Sequence, residues 1–166
     1  ISSPSTGTDT VSGVEQLNVG TGMSATHVLI VGAGGYATIQ DALTAASAGD
    51  TILVGPGTYD GNLNITKSVT IMGSGDDTVI QGTFHTDNGI PSGTHVSEWL
   101  ESHSYVANAG NGLTISADNV TIQGLKIQDF NTGISLATND HLTRNDVHID
   151  ESVRGIYKED GTADVT

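Results

Sequence analysis

The sequence predicts an all-β protein built as a β-solenoid, in which short strands stack coil upon coil. Short runs rich in valine, isoleucine and threonine alternate with turns through most of the chain, which is typical of β proteins. The last third also repeats, since segments that start at Asn119, His141 and Asp164 align at intervals of 22 and 23 residues. Such a period, without a helix in each repeat, indicates a solenoid, because only stacked coils bury the inward side chains.

One helix and a series of strands are expected along the chain. The first strand, at 26–31, ends at a glycine-rich turn. Residues 36–49 then predict one short amphipathic helix, with Thr38 as its N-cap and Gly49 as its stop. A single helix does not supply the crossovers that βαβ units need. Further strands are expected at 51–54, 63–65, 69–72, 78–81, 113–116, 120–123, 125–128 and 133–136.

Composition restricts the function. The chain has 166 residues, 22 glycines, no cysteine and a net charge of −14. The length suits one domain, and the glycines suit a turn-rich β protein. The negative charge argues against binding nucleic acid, and no apolar run is long enough to insert across a membrane. The absence of cysteine excludes disulfides, cysteine-ligated zinc and thiol catalysis.

The chain divides into a lead-in and one domain. Residues 1–23 are small and polar and predict a linker, whereas 24–166 form the β-helix domain, interrupted by an excursion at 84–112. Asp164 begins another coil by register, with no capping segment after it. We therefore expect a chain truncated from a longer β-helix, or an open last coil that makes an end-to-end contact with another subunit.

Four segments between Gly35 and Asp129 carry a family resemblance. They read Tyr-Ala-Thr-Ile-Gln-Asp-Ala from Tyr36, Ala-Gly-Asp-Thr-Ile-Leu-Val-Gly-Pro-Gly-Thr-Tyr ending at Tyr59, Asn-Ile-Thr-Lys-Ser-Val-Thr-Ile-Met-Gly from Asn64, and Thr-Val-Ile-Gln-Gly from Thr78. Their order resembles the opening of the pectin lyase-like superfamily, with pectinesterases closest in pattern. The resemblance implies a right-handed single-stranded parallel β-helix with one N-terminal capping α-helix.

The resemblance implies no catalytic residue. Pectinesterases typically place a glutamate two residues after the tyrosine of the Gly-x-Tyr turn, whereas Asp60 and Gly61 follow Tyr59. The family motifs that supply a glutamine, two catalytic aspartates and an arginine have no convincing match. The calcium-binding nonapeptide and the Asp-Pro-His-Glu motif of alginate epimerases are absent as well. The resemblance therefore specifies the fold more than the activity.

Strand alternation predicts a mixed-charge patch on the last coils. If Leu125 and Ile127 point inward, their neighbours Lys126 and Gln128 point outward. The 22-residue register then stacks His148 beside Lys126 and Asp150 beside Gln128, roughly 4.8 Å apart. The same register places Glu151 near Asp129 and Arg154 near Thr132.

This patch suggests chemistry on a uronate polymer. His148, Arg154 and Lys126 are the candidate catalytic groups, because such reactions need charge neutralisation and proton transfer. Asp129, Asp150 and Glu151 are candidate ligands for Ca²⁺, which prefers oxygen. The alternative is a solvated outer face of a structural solenoid.

Aromatic and polar side chains supply candidate contacts to sugar: Trp99 and Tyr105 in the excursion, and Gln128 and Tyr157 in the coils. The alternative for Trp99 is that it only packs the excursion onto the solenoid. His85, His95 and His103 share the excursion, but their spacing favours ordinary surface histidines over a zinc site.

Two functions remain open at this point. The first is a carbohydrate-active or carbohydrate-binding domain of a secreted protein that acts on an acidic polysaccharide as a lyase, epimerase or esterase, with Ca²⁺ as a candidate cofactor. The second is a noncatalytic structural or adhesin module of a large cell-surface protein. Both predict an extracellular or cell-surface location.

Overall fold

The computed structural model describes residues 15–19, 26–82, 110–137, 141–152 and 154–158. They form one α-helix, one 3-10 turn and twelve strands. The helix is α1 (Ile39–Ala45) and the 3-10 turn is Gly75–Asp77. The strands are β1 (Gln16–Val19), β2 (Thr26–Val31), β3 (Thr51–Val54), β4 (Gly57–Asp60), β5 (Leu63–Ile65), β6 (Thr70–Met72), β7 (Thr78–Gln81), β8 (Asn111–Ile115), β9 (Val120–Gln128), β10 (Thr132–Leu136), β11 (Leu142–Asp150) and β12 (Arg154–Lys158).

The strands wind into a parallel β-helix with three faces. Face 1 stacks β2, β3 and β6 on the first halves of β9 and β11. Face 2 stacks β4 and β7 on the second halves of the same two strands. Face 3 stacks β5, β8, β10 and β12. The predicted all-β solenoid with a single α-helix is confirmed.

Inward side chains form a continuous apolar column. On face 1, Ile52, Ile71 and Ile122 pair in register, and each is fully buried. The predicted 22-residue period is confirmed where Ile134 pairs with Ile156 on face 3. Burial of these aliphatic side chains is the main force that holds the coils together, at about 1.5–3 kcal/mol for each fully buried side chain.

One long strand replaces two predicted ones. The pattern predicts separate strands at 120–123 and 125–128, whereas β9 runs without a break from Val120 to Gln128. Gly124 lies within it at a φ of 60°, in the left-handed region that glycine adopts without strain. Asp146 occupies the same region in β11 at a φ of 53°. These residues turn the chain from face 1 to face 2 without interrupting the strand pairing.

The helix is shorter than its sequence pattern. Thr38 is the N-cap as predicted, and its hydroxyl accepts a hydrogen bond from the Asp41 amide at 3.0 Å. The helix ends at Ala45 rather than at Gly49, because the next residue, Ala46, adopts an extended backbone with a ψ of 152°. Lys67 donates to the carbonyls of Leu43, Thr44 and Ala46 at 3.2, 2.8 and 2.6 Å. A cation at this position satisfies carbonyls that the helix leaves unpaired.

The first strand lies inside the segment expected as a lead-in. β1 pairs antiparallel with β2 and covers the outer edge of face 1. The buried Asp50 then anchors β2 to the end of the helix segment, because its carboxylate accepts hydrogen bonds from the His27 and Ser47 amides at 2.8 and 2.7 Å. The described part of the chain contains no helix long and apolar enough to cross a bilayer.

The last described coil departs from the apolar pattern. Arg144 pairs with the buried Ile122, and Lys158 pairs with the buried Leu136. Arg154 pairs with the buried Thr132 in the same way. Three of the five lysines and arginines of the chain therefore occupy inward register positions at this end of the solenoid.

Candidate functional site

Face 2 presents two columns of outward side chains along the solenoid axis. One column contains Lys126 paired with His148, and the other contains Gln128 paired with Asp150. The alternation that predicts these pairs is confirmed, because Leu125 and Ile127, which alternate with Lys126 and Gln128 along the strand, are buried. The second column continues through Gln81 to Asp60 of the first coil.

Two stacked glutamines connect the coils of face 2. The Gln128 amide nitrogen donates to the Gln81 side-chain oxygen at 2.6 Å. The Gln81 amide nitrogen in turn donates to a carboxylate oxygen of Asp129. Gln81 was not among the predicted site residues, because the excursion separates it from Gln128 by 47 residues and the 22-residue period does not bridge that gap. The sequence signal that could identify Gln81 is its outward position on the predicted strand 78–81, next to the buried Ile80.

Asp129 and Glu151 form a carboxyl pair at the corner between face 2 and face 3. Both lie in the left-handed backbone region, at φ values of 64° and 45°. Asp129 is only 1% exposed, whereas Glu151 is exposed. The hydrogen bond that the protonated Glu151 carboxyl donates to Asp129, and then the charge of Asp129, raise the pKa of Glu151, with smaller contributions from burial and Asp150, while Lys126 opposes them. The predicted proximity of the two residues is confirmed by this hydrogen bond.

Two of the predicted catalytic bases have acidic partners. The Lys126 ammonium lies 3.1 Å from the Asp150 carboxylate. The His148 Nδ1 atom lies 2.6 Å from an Asp76 oxygen on the 3-10 turn. Lys126 is therefore held above the same face as the carboxyl pair, whereas His148 is directed toward the corner between face 1 and face 2.

The third predicted base lies elsewhere. Arg154 is in register with Thr132 as expected, but both belong to face 3, around the corner from Lys126. Its guanidinium stacks over the Tyr157 ring at 5.0 Å from the centroid, a cation–π contact. Arg154 and the predicted sugar contact Tyr157 thus form a separate pair. Trp99, Tyr105 and the three histidines of the excursion lie outside the described residues.

Asp129, Asp150 and Glu151 come from neighbouring coils, but they do not converge on one point. Within the described ranges, no three metal-ligating side chains are gathered around a common position. Asp150 faces Lys126, and one oxygen of Asp129 accepts from Gln81. Calcium binding by these three residues stays a prediction.

The face 2 cluster, defined as Gln81, Lys126, Gln128, Asp129 and Glu151, combines three chemical capacities. Glu151 is an exposed acid whose pKa is raised by Asp129, which favours its proton-donating form. Lys126 is a cation that can neutralise an anionic group of a substrate, and the two amides can bind hydroxyl groups.

Comparison of the chain with protein-family models, curated proteins and solved structures finds no significant match.

Proposed function

We propose that this chain is a carbohydrate-active β-helix domain that acts on an acidic polysaccharide at the face 2 cluster. The observation that carries the proposal is the hydrogen-bonded Asp129–Glu151 pair, in which Asp129 raises the pKa of Glu151 next to Lys126. A carboxyl group that binds its proton more tightly because a second carboxyl group lies beside it is a common device for proton transfer to and from sugars.

Each group has a role in this proposal. Lys126 binds the carboxylate of a uronate unit, which requires that Asp150 yields its place at the ammonium. Glu151 donates a proton to an oxygen of the substrate, and Asp129 favours the protonated, donating form of Glu151 because it raises the pKa of that carboxyl. Gln81 and Gln128 hold the sugar hydroxyls along the solenoid axis. In a lyase or epimerase reaction the C5 proton of the uronate must first pass to a base, a role that an ionised carboxylate of the pair would fill, whereas ester hydrolysis also needs a water molecule as nucleophile.

Membership of the pectin lyase-like superfamily and an extracellular or cell-surface location belong to the same proposal. The parallel β-helix with one helix at its start supports the superfamily, as do the motifs that carry the resemblance. An acidic polysaccharide substrate supports the location, because such polymers are found outside cells or on their surfaces.

The test is incubation of the chain with pectate, methylated pectin, alginate and hyaluronan. Ultraviolet absorbance detects unsaturated products, NMR detects epimerised residues, and alcohol release detects ester hydrolysis. We expect activity on one polymer, a loss of at least 100-fold in Glu151→Gln and Asp129→Asn, and a raised KM in Lys126→Met. Asp118→Asn, an exposed acid away from face 2, is the control. The proposal would be refuted if the chain formed no product from any of the polymers and bound none of them.

Calcium has its own arm in this experiment. To bind the ion, the three predicted ligands Asp129, Asp150 and Glu151 would have to gather around it, which requires Lys126 to release Asp150 and Asp150 to move toward the carboxyl pair. We expect Ca²⁺ to increase the affinity for a uronate polymer and Asp150→Asn to remove that increase. Equal affinity with Ca²⁺ and with a chelator would exclude a role for the ion.

A noncatalytic module is the second candidate, and the last described coil favours it. Arg144, Arg154 and Lys158 lie on the same two strands as the half-buried Val147 and Ile156, in a chain with a net charge of −14. We propose an end-to-end contact with another acidic β-helical subunit at this surface. Sedimentation should show an assembly that weakens in salt and is lost in Arg144→Glu. A monomer at all concentrations would exclude self-assembly through this end.

A further inference from the structure

A cavity of about 270 Å³ lies at the beginning of face 2, between the start of the helix segment and the first coil. Its walls include Ile39 and Gln40 from α1, together with Thr58, Asp60 and Leu63 from the first coil. A volume of this size holds a single small ring rather than a drug-sized ligand, for which pockets are larger. None of these residues belongs to the face 2 cluster.

The cavity has one apolar side and one polar side. Tyr59 and Leu63 supply the apolar side, and the Tyr59 ring is held in place because its hydroxyl donates to the Gly55 carbonyl at 2.9 Å. The Gln40 side chain is also held, since its oxygen accepts from the Asn64 amide at 3.0 Å and its nitrogen keeps two donors. An aromatic ring beside a fixed amide suits a sugar, which has both apolar C–H groups and hydroxyls.

The charge of the cavity selects among sugars. Asp60 is exposed, and its carboxylate makes no hydrogen bond or ion pair with any other described residue. No lysine, arginine or histidine is among the residues that line the cavity. A ligand carboxylate would meet Asp60 without a cation to compensate it, whereas sugar hydroxyls can donate to Asp60.

We propose that this cavity is a binding subsite for a neutral pyranose unit. Asp60 accepts from two neighbouring hydroxyls, Gln40 donates to a third, and the Tyr59 ring packs against the C–H face of the sugar. Asp60 is also the first member of the outward column that continues through Gln81 and Gln128 to Asp150. Three strand spacings, roughly 14 Å, separate its two ends.

The subsite makes the proposed function more specific, because it adds a neutral sugar unit to the acidic polysaccharide that the chain would bind. A polysaccharide that follows this column would place a neutral unit in the cavity and a uronate unit at Lys126. The substrate class is then an acidic heteropolysaccharide that also contains neutral sugars. This extension rests on the proposed function, but binding of a neutral monosaccharide in the cavity does not require any proton transfer at Glu151.

The test uses matched sugars that differ only in charge. The full chain is titrated with glucose, galactose and mannose and with the corresponding uronates, and backbone amide shifts are followed by NMR. We expect millimolar binding of at least one neutral sugar that shifts the amides of 37–40 and 58–63, and no such shift with its uronate. Shifts confined to other residues, or none with all three neutral sugars, would overturn the proposal.

Two charge-reversal variants complete the experiment. Asp60→Lys should weaken the neutral sugar about tenfold or more, through loss of hydrogen bonds to a charged acceptor, and should admit the uronate. Asp118→Lys makes the same change at an exposed position away from the cavity and should bind as the wild type does. Equal affinities in the two variants would contradict the subsite. Monosaccharide binding in the cavity without activity at Glu151 would refute only the proposed function. Activity that depends on Glu151 without monosaccharide binding in the cavity would refute only the subsite.

Discussion

Glu151 is an exposed acid whose pKa is raised by its buried neighbour Asp129. Because Asp129 raises the pKa of Glu151 in the folded protein, the folded state keeps a proton that the unfolded state loses as the pH rises above the ordinary glutamate value. Stability should therefore fall as the pH increases through this window. Glu151→Gln removes the titration, so its melting temperature should decline less between about pH 4 and about pH 7 than that of the wild type.

Parallel melting curves for the two proteins over this range would contradict the raised pKa. Glu15→Gln is a suitable control, because Glu15 is also an exposed glutamate and lies directly before β1, away from the carboxyl pair. The measurement is a thermal melt followed by circular dichroism at each pH. It separates the electrostatic coupling of the pair from any catalytic role.

Two glycines in equivalent positions of neighbouring coils offer a matched packing test. A Cβ atom at Gly133 would lie 2.5 Å from a methyl carbon of Ile149 and 2.8 Å from the Gly155 carbonyl oxygen. A Cβ atom at Gly155 would meet no described atom within 4 Å. We expect Gly133→Ala to cost about 1–3 kcal/mol in unfolding free energy and Gly155→Ala to cost less than about 0.5 kcal/mol. Urea denaturation measures both, and equal costs would contradict the register.

For single residues, the sequence predicts whether a side chain points inward or outward better than it predicts which residue that side chain contacts. The outward orientation of Lys126 and Gln128 follows from strand alternation, which is a local property with a period of two. The bond between Gln81 and Asp129 joins residues 48 positions apart, across an excursion with no place in the repeat. No local sequence pattern extends over a separation of 48 residues, so the sequence does not predict the hydrogen bond between Gln81 and Asp129.

Helix α1 depends on a cap supplied by the first coil. A helix of seven residues is too short to be stable by itself, so its packing and its caps decide whether it forms. Lys67 reaches it from the corner after β5 and donates to three carbonyls at its C-terminus. The sequence predicts the helix and its N-cap, but it does not predict the contact with Lys67. Lys67 and the C-terminus of α1 meet only when the first coil closes.

Removal of the Lys67 ammonium should therefore destabilise the start of the solenoid. We expect Lys67→Met to lower the unfolding free energy by about 1–3 kcal/mol, since three carbonyls lose a charged donor. Lys126→Met is the matched control, because an ion pair to the largely exposed Asp150 contributes at most about 1 kcal/mol. Chemical denaturation compares them, and a Lys67 variant no less stable than the control would refute the cap.

The stacked coils make stability uneven along the molecule. β9 has strands on both sides, since it pairs with β6 and β7 on one side and with β11 on the other. Within the described chain, β12 pairs only with β10, and its inward positions include Arg154 and Lys158. Each coil of a solenoid is stabilised mainly by its neighbours, so the last described coil should open first.

Hydrogen exchange measures this gradient directly. We expect the amides of β9 to exchange at least tenfold more slowly than those of β12, after correction for intrinsic rates. Leu17 and its neighbours in β1, an edge strand at the opposite end, give a second reference. Uniform protection from β1 to β12 would indicate a single cooperative unit and would contradict the gradient.

The sequence by itself determines the solenoid, its period and the alternation of inward and outward side chains along each strand. These features follow from local patterns, because a strand repeats every two residues and a coil must bury its inward aliphatic side chains against the next. The tertiary structure alone decides which polar groups meet. It places Arg154 on face 3, pairs His148 with Asp76, and joins Gln81 to Asp129. These contacts depend on how corners of different length bend the chain, and corner geometry is set by backbone conformations at single residues such as Gly124 and Asp129 rather than by the repeat.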